Sequence, residues 1–69
     1  MRLVINGESR QFESPEIKSL ASLMRALELH QAQGTAVAVN DEVISRGRWS
    51  EEILYDGDRV EVIRATSGG

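Results

Sequence analysis

The two glycines that end the chain, Gly68 and Gly69, are the residues whose chemistry stands out. The terminal residue carries the main-chain carboxylate, which is ionised at neutral pH and can act as an oxygen nucleophile. Because glycine has no side chain, this carboxylate can approach another surface without a Cβ in the way. By itself, such an end is more often a frayed segment without a function, as in many domains, than a terminus that reacts inside the cleft of a partner, so the functional interpretation depends on the rest of the chain.

The residues before the glycines are expected to form a flexible arm. A segment of six residues extends roughly 20 Å at about 3.3 Å per residue, which is long enough to enter a cleft while the folded part stays outside. We therefore predict a folded domain over residues 1–63 and a tail over residues 64–69. Gly69 would supply the reacting carboxylate, and the predicted partner-binding residues are Arg64, Ala65, Thr66, Ser67 and Gly68.

Composition excludes several classes of function. The 69 residues contain no cysteine, which removes disulfides, thiolate metal sites and thiol nucleophiles. The net charge of −3, with scattered cations, argues against nucleic-acid binding. The apolar run at the N-terminus is too short for a signal sequence or a membrane span, so we expect a cytoplasmic protein with one small core.

The first half of the chain predicts a hairpin followed by a helix. Apolar residues alternate over residues 1–5, Asn6-Gly7 is a strong hairpin turn, and residues 9–13 form the returning strand. A helical stripe follows at Leu20, Leu23, Met24 and Leu27. The helix begins either at Ser14, with Pro15 in the first turn, or at Ser19. We expect it to end at Gly34.

The second half predicts a second hairpin and a central last strand. Residues 35–39 and 42–44 flank an Asn40-Asp41 turn, and residues 45–55 are irregular, with a short helical turn over residues 50–53. A turn at Gly57 precedes the last strand over residues 59–64, which we place beside the first strand. The result is an α+β fold in which one helix packs on one face of a mixed sheet of about four to five strands.

Other candidate side chains are assigned structural roles. Trp49 and Arg46 suit either a partner surface or the packing of the irregular segment, and we favour packing. Asp56 and Asp58 flank a turn glycine, His30 has no metal-ligand partner nearby, and no metal site is predicted. Acidic residues late in the chain form either a face for a basic partner or a solvated surface; they are Glu51, Glu52, Asp56, Asp58 and Glu61.

The residues that carry a family resemblance cover nearly the whole chain. They are Val39-Asn40, Val43-Ile44, Arg46 with Trp49 three residues on, Leu54, Gly57-Asp58, Val60, Val62 and Gly68-Gly69. In this combination the sequence closely resembles the ThiS family, the sulfur carriers of thiamine biosynthesis. The resemblance implies the ubiquitin-like β-grasp fold. Thr66-Ser67 is more polar than the family pattern, which bears on the choice of partner.

The resemblance also implies a reaction cycle in which the chain is a protein cosubstrate and not an enzyme. An adenylating enzyme of the ubiquitin-activating type uses ATP and Mg²⁺ to convert the Gly69 carboxylate into an acyl adenylate. A persulfide donor, such as a cysteine desulfurase, then supplies sulfur to form a thiocarboxylate. Thiazole synthase receives this sulfur, and the carrier itself binds no cofactor.

Three alternatives remain open from the sequence. The same tail suits the small subunit of molybdopterin synthase or a sulfur carrier of another pathway. A ubiquitin-like interaction module, binding through its exposed sheet face, would carry the glycines incidentally. Conjugation of the terminus to lysines, as a protein tag, is the third. Deletion of Gly69 separates the carrier from the interaction module, because it moves the terminal carboxylate back to Gly68 and only the carrier needs that carboxylate at the full length of the tail.

Overall fold

The computed structural model describes residues 1–13, 17–29 and 34–64. The elements are β1 (Arg2–Ile5), β2 (Glu8–Gln11), α1 (Leu20–Ala26), β3 (Thr35–Val39), β4 (Glu42–Ile44), a 3-10 helix (Arg46–Arg48) and β5 (Arg59–Arg64). The strands form a mixed sheet in the order β2-β1-β5-β3-β4, in which β1 and β5 are parallel and the other neighbours are antiparallel. The predicted α+β class and the central position of the last strand, next to the first, are confirmed.

Two tight turns set the register of the outer strand pairs. Asn6 and Gly7 have φ values of 50° and 83°, and Asn40 and Asp41 have values of 49° and 71°. Positive φ at both central residues defines the type I′ turn, whose twist matches that of the flanking strands. Both predicted hairpins are therefore confirmed, with Ile5 opposite Glu8 in the first and Val39 opposite Glu42 in the second.

The hydrophobic core lies between one face of the sheet and α1. Inward-facing residues alternate along the strands, and the helix contributes its predicted stripe. Residues 45–54 close the remaining side of this layer. The buried hydrophobic residues are Leu3, Ile5, Ile17, Leu20, Leu23, Met24, Val37, Val39, Ile44, Trp49, Leu54 and Val60.

The helix begins at Ser19, the second of the two predicted caps. The Ser19 hydroxyl accepts a hydrogen bond from the Ser22 backbone N–H at 3.2 Å, and the Ser22 hydroxyl accepts one from the Ser19 N–H at 2.9 Å. This reciprocal pair satisfies N–H groups that have no partner inside the helix. The rival cap at Ser14, with Pro15, lies outside the described residues.

The predicted end of the helix at Gly34 is wrong, because α1 ends at Ala26. Glu28 takes a left-handed conformation with φ 62°, and its N–H donates to the Arg25 carbonyl at 3.0 Å. The Leu29 N–H reaches back to the Met24 carbonyl at 2.8 Å. This is a Schellman motif, which satisfies the last carbonyls of a helix.

The short helical turn predicted over residues 50–53 is also misplaced, since the 3-10 helix covers Arg46–Arg48. Carbonyl groups of the segment that follows the 3-10 helix instead accept hydrogen bonds from backbone N–H groups in the first turn of α1. Trp49 O accepts from the Ala21 N–H at 3.0 Å, and Glu52 O accepts from the Leu20 N–H at 2.8 Å. The segment thus joins the start of α1 through its backbone, and this tertiary pairing replaces a local helical turn.

Candidate functional site

The last strand, β5, leads to the chain end and has a neighbouring strand on each edge. β5 pairs with β3 over five residues, from Val60 opposite Val39 to Arg64 opposite Thr35. On its other edge, Val60 lies opposite Ile5 of β1 in the parallel pair. Because β3 pairs with β5 as far as Arg64, the sheet sets the direction in which the chain leaves the strand.

Two asparagine side chains complete the hydrogen bonding of β5. Strand β1 ends at Ile5, and beyond it the Asn6 Oδ1 accepts from the Val62 N–H at 2.8 Å. On the opposite edge, the Asn40 Oδ1 accepts from the Arg59 N–H at 3.0 Å. Both asparagines were predicted as turn residues, but their contacts with β5 were not predicted. No local pattern shows that the side-chain amide of a turn residue reaches a strand far along the chain.

A groove lies beside the base of the tail, between the end of α1, the first hairpin and β5. Its volume is about 340 Å³. We call it the tail-base groove. Its floor is apolar, and its rim carries one carboxylate and two guanidinium groups. The floor is formed by Ile5, Leu27, Leu29 and Val62, and the charged residues of the rim are Glu8, Arg10 and Arg64.

The sheet face that points away from α1 carries exposed apolar side chains. Val43 and Ile63 are 72% and 60% exposed. Ala38 lies opposite Val43, and Ala36 lies opposite Ile63, so these four residues form one outer patch across three strands. Exposed apolar groups of this kind mark contact surfaces more often when they are contiguous. The outward position of Ile63 follows from the alternation in β5, whereas its contiguity with Val43 depends on the pairing of three strands.

Trp49 and Arg46 have the packing role that the sequence favoured. The Trp49 side chain is only 4% exposed, and its Nε1 donates to the Ile44 carbonyl at 3.0 Å. The Arg46 guanidinium lies 4.6 Å from the centre of the indole ring, in cation–π geometry. The pair therefore closes the core under β4, with the exposed Arg46 covering the ring.

The acidic residues serve different parts of the fold. The Asp56 carboxylate accepts from the Arg2 N–H at 2.7 Å, and the Asp58 carboxylate accepts from the Tyr55 N–H at 2.8 Å, so both stabilise the turn before β5. Glu61 lies opposite Ala38 on the outer sheet face. In residues 1–13, 17–29 and 34–64, no three His, Asp or Glu side chains form a candidate metal site. His30 lies outside these ranges.

Most of the predicted tail also lies outside the described residues. Ala65, Thr66, Ser67, Gly68 and Gly69 belong to that segment, and their assignments stay predictions. Arg64 is described and is the last residue of β5, which confirms the strand predicted over residues 59–64. The proposed division into a domain over residues 1–63 and a tail over residues 64–69 stays a prediction.

The sequence matches the profile of the ThiS family over residues 3–69. This chain belongs to the ThiS family. The resemblance noted in the sequence is thereby confirmed for almost the full length. Within the part of the chain that the structure describes, no helix is long and apolar enough to cross a membrane.

Relatives and solved structures agree with this family. The chain is 28% identical to the sulfur carrier protein ThiS of Escherichia coli K12 over 69 residues, which is the full length of both. The crystal structure of the thiamine biosynthesis protein ThiS from Geobacter metallireducens superposes with a TM-score of 0.84 at 32% identity, again covering both chains completely. The predicted β-grasp fold is therefore confirmed.

A further relative is much longer. The chain is 30% identical over all its 69 residues to a thiazole synthase of Paramagnetospirillum magneticum, but it spans only 20% of that protein. A protein named for thiazole synthesis thus contains a ThiS-like segment within a larger polypeptide.

Proposed function

We propose that this chain is a sulfur carrier of thiamine biosynthesis, a protein cosubstrate whose Gly69 carboxylate becomes a thiocarboxylate. The observation that carries the proposal is the match to the E. coli sulfur carrier protein over the whole of both chains, together with the Gly-Gly end. The fold supports it, because β5 leads directly to this end from the centre of the sheet.

The first step is activation of the carboxylate by a partner enzyme. A Gly69 carboxylate oxygen attacks the α-phosphate of ATP, pyrophosphate leaves, and an acyl adenylate forms. Mg²⁺, bound with the nucleotide by the partner, offsets the phosphate charge. The carrier supplies the nucleophile and an approach free of side chains at Gly68 and Gly69, so that the partner can hold carboxylate and phosphate in line.

The second step exchanges oxygen for sulfur. The terminal sulfur of a persulfide attacks the acyl carbon and AMP leaves, which gives an acyl disulfide. A thiol then attacks the donor's sulfur, forms a disulfide with it and releases the thiocarboxylate. AMP is a far better leaving group than the oxide it replaces, which makes the attack feasible. Since the carrier has no cysteine, no thiol of its own competes for the activated acyl group.

The proposed partners follow from this chemistry. Thiazole synthase is the proposed acceptor of sulfur, supported by the ThiS-like segment within the Paramagnetospirillum enzyme. A ubiquitin-activating-type adenylating enzyme and a persulfide donor such as a cysteine desulfurase supply the earlier steps. We place the reactions in the cytoplasm, where ATP and reducing thiols occur together. The thiamine pathway is favoured over molybdopterin synthesis because the relatives named above belong to it.

Intact-mass spectrometry tests the proposal. The purified carrier is incubated with the adenylating enzyme, Mg-ATP, a cysteine desulfurase, cysteine and a reducing thiol. The expected product differs from the starting protein by one oxygen replaced by one sulfur, and its formation requires ATP. The adenylating enzyme is first shown to be active on a known sulfur carrier. If the mass of this chain then stays unchanged, the proposal is wrong.

Removal of Gly69 separates a carrier from a simple interaction module. The variant without Gly69 is expected to lose thiocarboxylate formation completely and to keep the melting temperature of the parent. Arg48→Ala, an exposed change on the 3-10 helix, is the matched control and is expected to retain the reaction. Thiazole formation that persists without Gly69 would support the module instead.

A further inference from the structure

The tail-base groove lies beside Arg64, the residue from which the chain end continues. Arg64 lines the groove and is also the last residue of β5, so the five residues that follow begin at its rim. Five residues span roughly 16 Å at about 3.3 Å each, which keeps a cleft that holds Gly69 close to this part of the surface. A partner that encloses the tail therefore has the groove within reach.

The groove combines an apolar floor with positive charge. Leu27, Leu29 and Val62 are half-buried and leave part of their surface to solvent. The chain as a whole carries a net charge of −3, whereas this rim contributes two guanidinium groups against one carboxylate. The rim is thus a local cationic site on an acidic protein.

The two arginines are available to a partner. Among the described residues, no carboxylate lies within ion-pair distance of Arg10 or Arg64; Arg59 and Asp41, 2.9 Å apart, form the ion pair seen there. The Arg10 guanidinium lies 5.5 Å from the centre of the Phe12 ring, an arrangement that restrains its position without using its hydrogen-bond donors for a carboxylate.

We propose that the tail-base groove binds a segment of the adenylating partner in which a carboxylate side chain stands next to an apolar one. The carboxylate pairs with Arg10 at the rim, and the apolar side chain packs on Leu27 and Leu29. This inference rests on the proposed carrier function. The contact fixes the carrier body against the enzyme, so that the tail enters the catalytic cleft in one direction.

The charge distribution favours this groove over the outer patch for an acidic segment. The outer sheet face carries Glu61 near its centre, and the guanidinium of Arg59 is already paired with Asp41. A carboxylate that approaches that face meets the like charge of Glu61, whereas the groove rim offers it two guanidinium groups against the single carboxylate of Glu8. An acidic partner segment is therefore assigned to the groove.

Charge reversal at Arg10 tests the proposal by steady-state adenylation kinetics. Arg10→Glu is expected to raise the KM for the carrier about tenfold, equivalent to about 1.4 kcal/mol, and to leave kcat unchanged. The rise in KM is expected to shrink at high salt, because screening weakens charge contacts. Arg10→Gln should give a smaller rise of the same kind.

The matched control is Arg48→Glu, which makes the same charge change at an exposed site outside the groove. It is expected to change KM less than twofold. Equal effects of Arg10→Glu and Arg48→Glu would overturn the proposal and show that only net charge matters. Melting curves of both variants verify that each is folded.

Cross-linking identifies the occupant directly. Because the chain has no cysteine, Arg10→Cys creates one attachment point for a benzophenone maleimide. The label is expected to cross-link a partner peptide that contains Asp or Glu beside an apolar residue, while the same label after Arg48→Cys does not. A cross-link to a peptide without a carboxylate, or to a second carrier molecule, would contradict the proposal.

These experiments distinguish a failure of the groove proposal from a failure of the proposed carrier function. If the parent chain forms no adenylate with an active enzyme, the carrier function fails. If the parent reacts and Arg10→Glu reacts with an unchanged KM, the function stands and the groove proposal is wrong.

Discussion

The two faces of β5 differ although they belong to the same six residues. On the inner face, Val60 is completely buried and Val62 is half-buried against the core. On the outer face, Ile63 is 60% exposed and Glu61 is solvated. Val60 stabilises the fold from the core, whereas Val62 also leaves part of its surface to the tail-base groove. The outer residues are exposed, so a substitution there is expected to cost less stability than one at Val60.

Changes to the core under the inner face are expected to have the largest effects on stability. Trp49→Ala removes a buried indole and its hydrogen bond to the Ile44 carbonyl. The expected loss is about 3–5 kcal/mol in the free energy of unfolding, comparable to the total stability of a chain this short. Urea unfolding followed by circular dichroism measures it, and we expect a largely unfolded variant.

Trp49→Phe is the control for this prediction, because it retains most of the packing and removes the Nε1 donor. A loss of about 1–3 kcal/mol is expected, since the Ile44 carbonyl is left without that partner. If Trp49→Ala unfolds at the same urea concentration as the parent, the indole does not support the core as described.

A matched pair within β5 tests the comparison of the two faces most directly. Val60→Ala is expected to reduce the free energy of unfolding by about 2–3 kcal/mol, because it leaves a cavity at a fully buried site. Ile63→Ala removes a larger side chain from the outer face and is expected to change stability by less than about 0.5 kcal/mol. Chemical denaturation of both variants gives the two values, and similar losses would contradict the division of the strand.

The edges of β5 offer a second matched pair with smaller effects. Asn40→Ala and Asn6→Ala each remove a side-chain carbonyl that accepts from β5, and each places alanine at positive φ. We expect losses of about 1–3 kcal/mol each. Asn6→Asp keeps an acceptor oxygen and should lose less. Asn40→Asp also keeps an acceptor, but it replaces the Nδ2 donor to the Asp58 carboxylate, 3.1 Å away, with a second carboxylate and should not lose less than Asn40→Ala. Thermal unfolding of the four variants tests whether both edges hold the strand.

Much of the fold could be predicted from local sequence patterns. The alternation in the first and last strands and the Asn6-Gly7 and Asn40-Asp41 turns each specify their structure over a few residues. The chemistry, by contrast, came from the family resemblance over most of the chain, of which Arg46, Trp49 and Gly57-Asp58 carry more than the terminal Gly-Gly. The inward Val60 followed from alternation too, because a strand period of two allows no other choice once the core side is known.

The features that the sequence did not show depend on contacts between distant segments. The hydrogen bond from the Val62 N–H to the Asn6 Oδ1 joins residues far apart in the chain, and no sequence pattern near either residue predicts it. The tail-base groove likewise forms only when Arg10, Leu29 and Arg64 come together from three segments. The end of α1 was mispredicted because the chain places Glu28, rather than glycine, in the left-handed position.

Glu28→Gly is the smallest predicted effect and the one that stabilises. The helix covers the inner face of the sheet, and its Schellman motif holds a non-glycine residue at φ 62°, which costs free energy through the Cβ. Glycine removes that cost but makes the unfolded chain more flexible, so the net gain is about 0.5–1 kcal/mol. Glu28→Ala, which keeps a Cβ, is the control and should give no gain. A rise in melting temperature for glycine alone assigns the gain to backbone strain, whereas equal gains for both variants would assign it to removal of the Glu28 charge near the helix C-terminus.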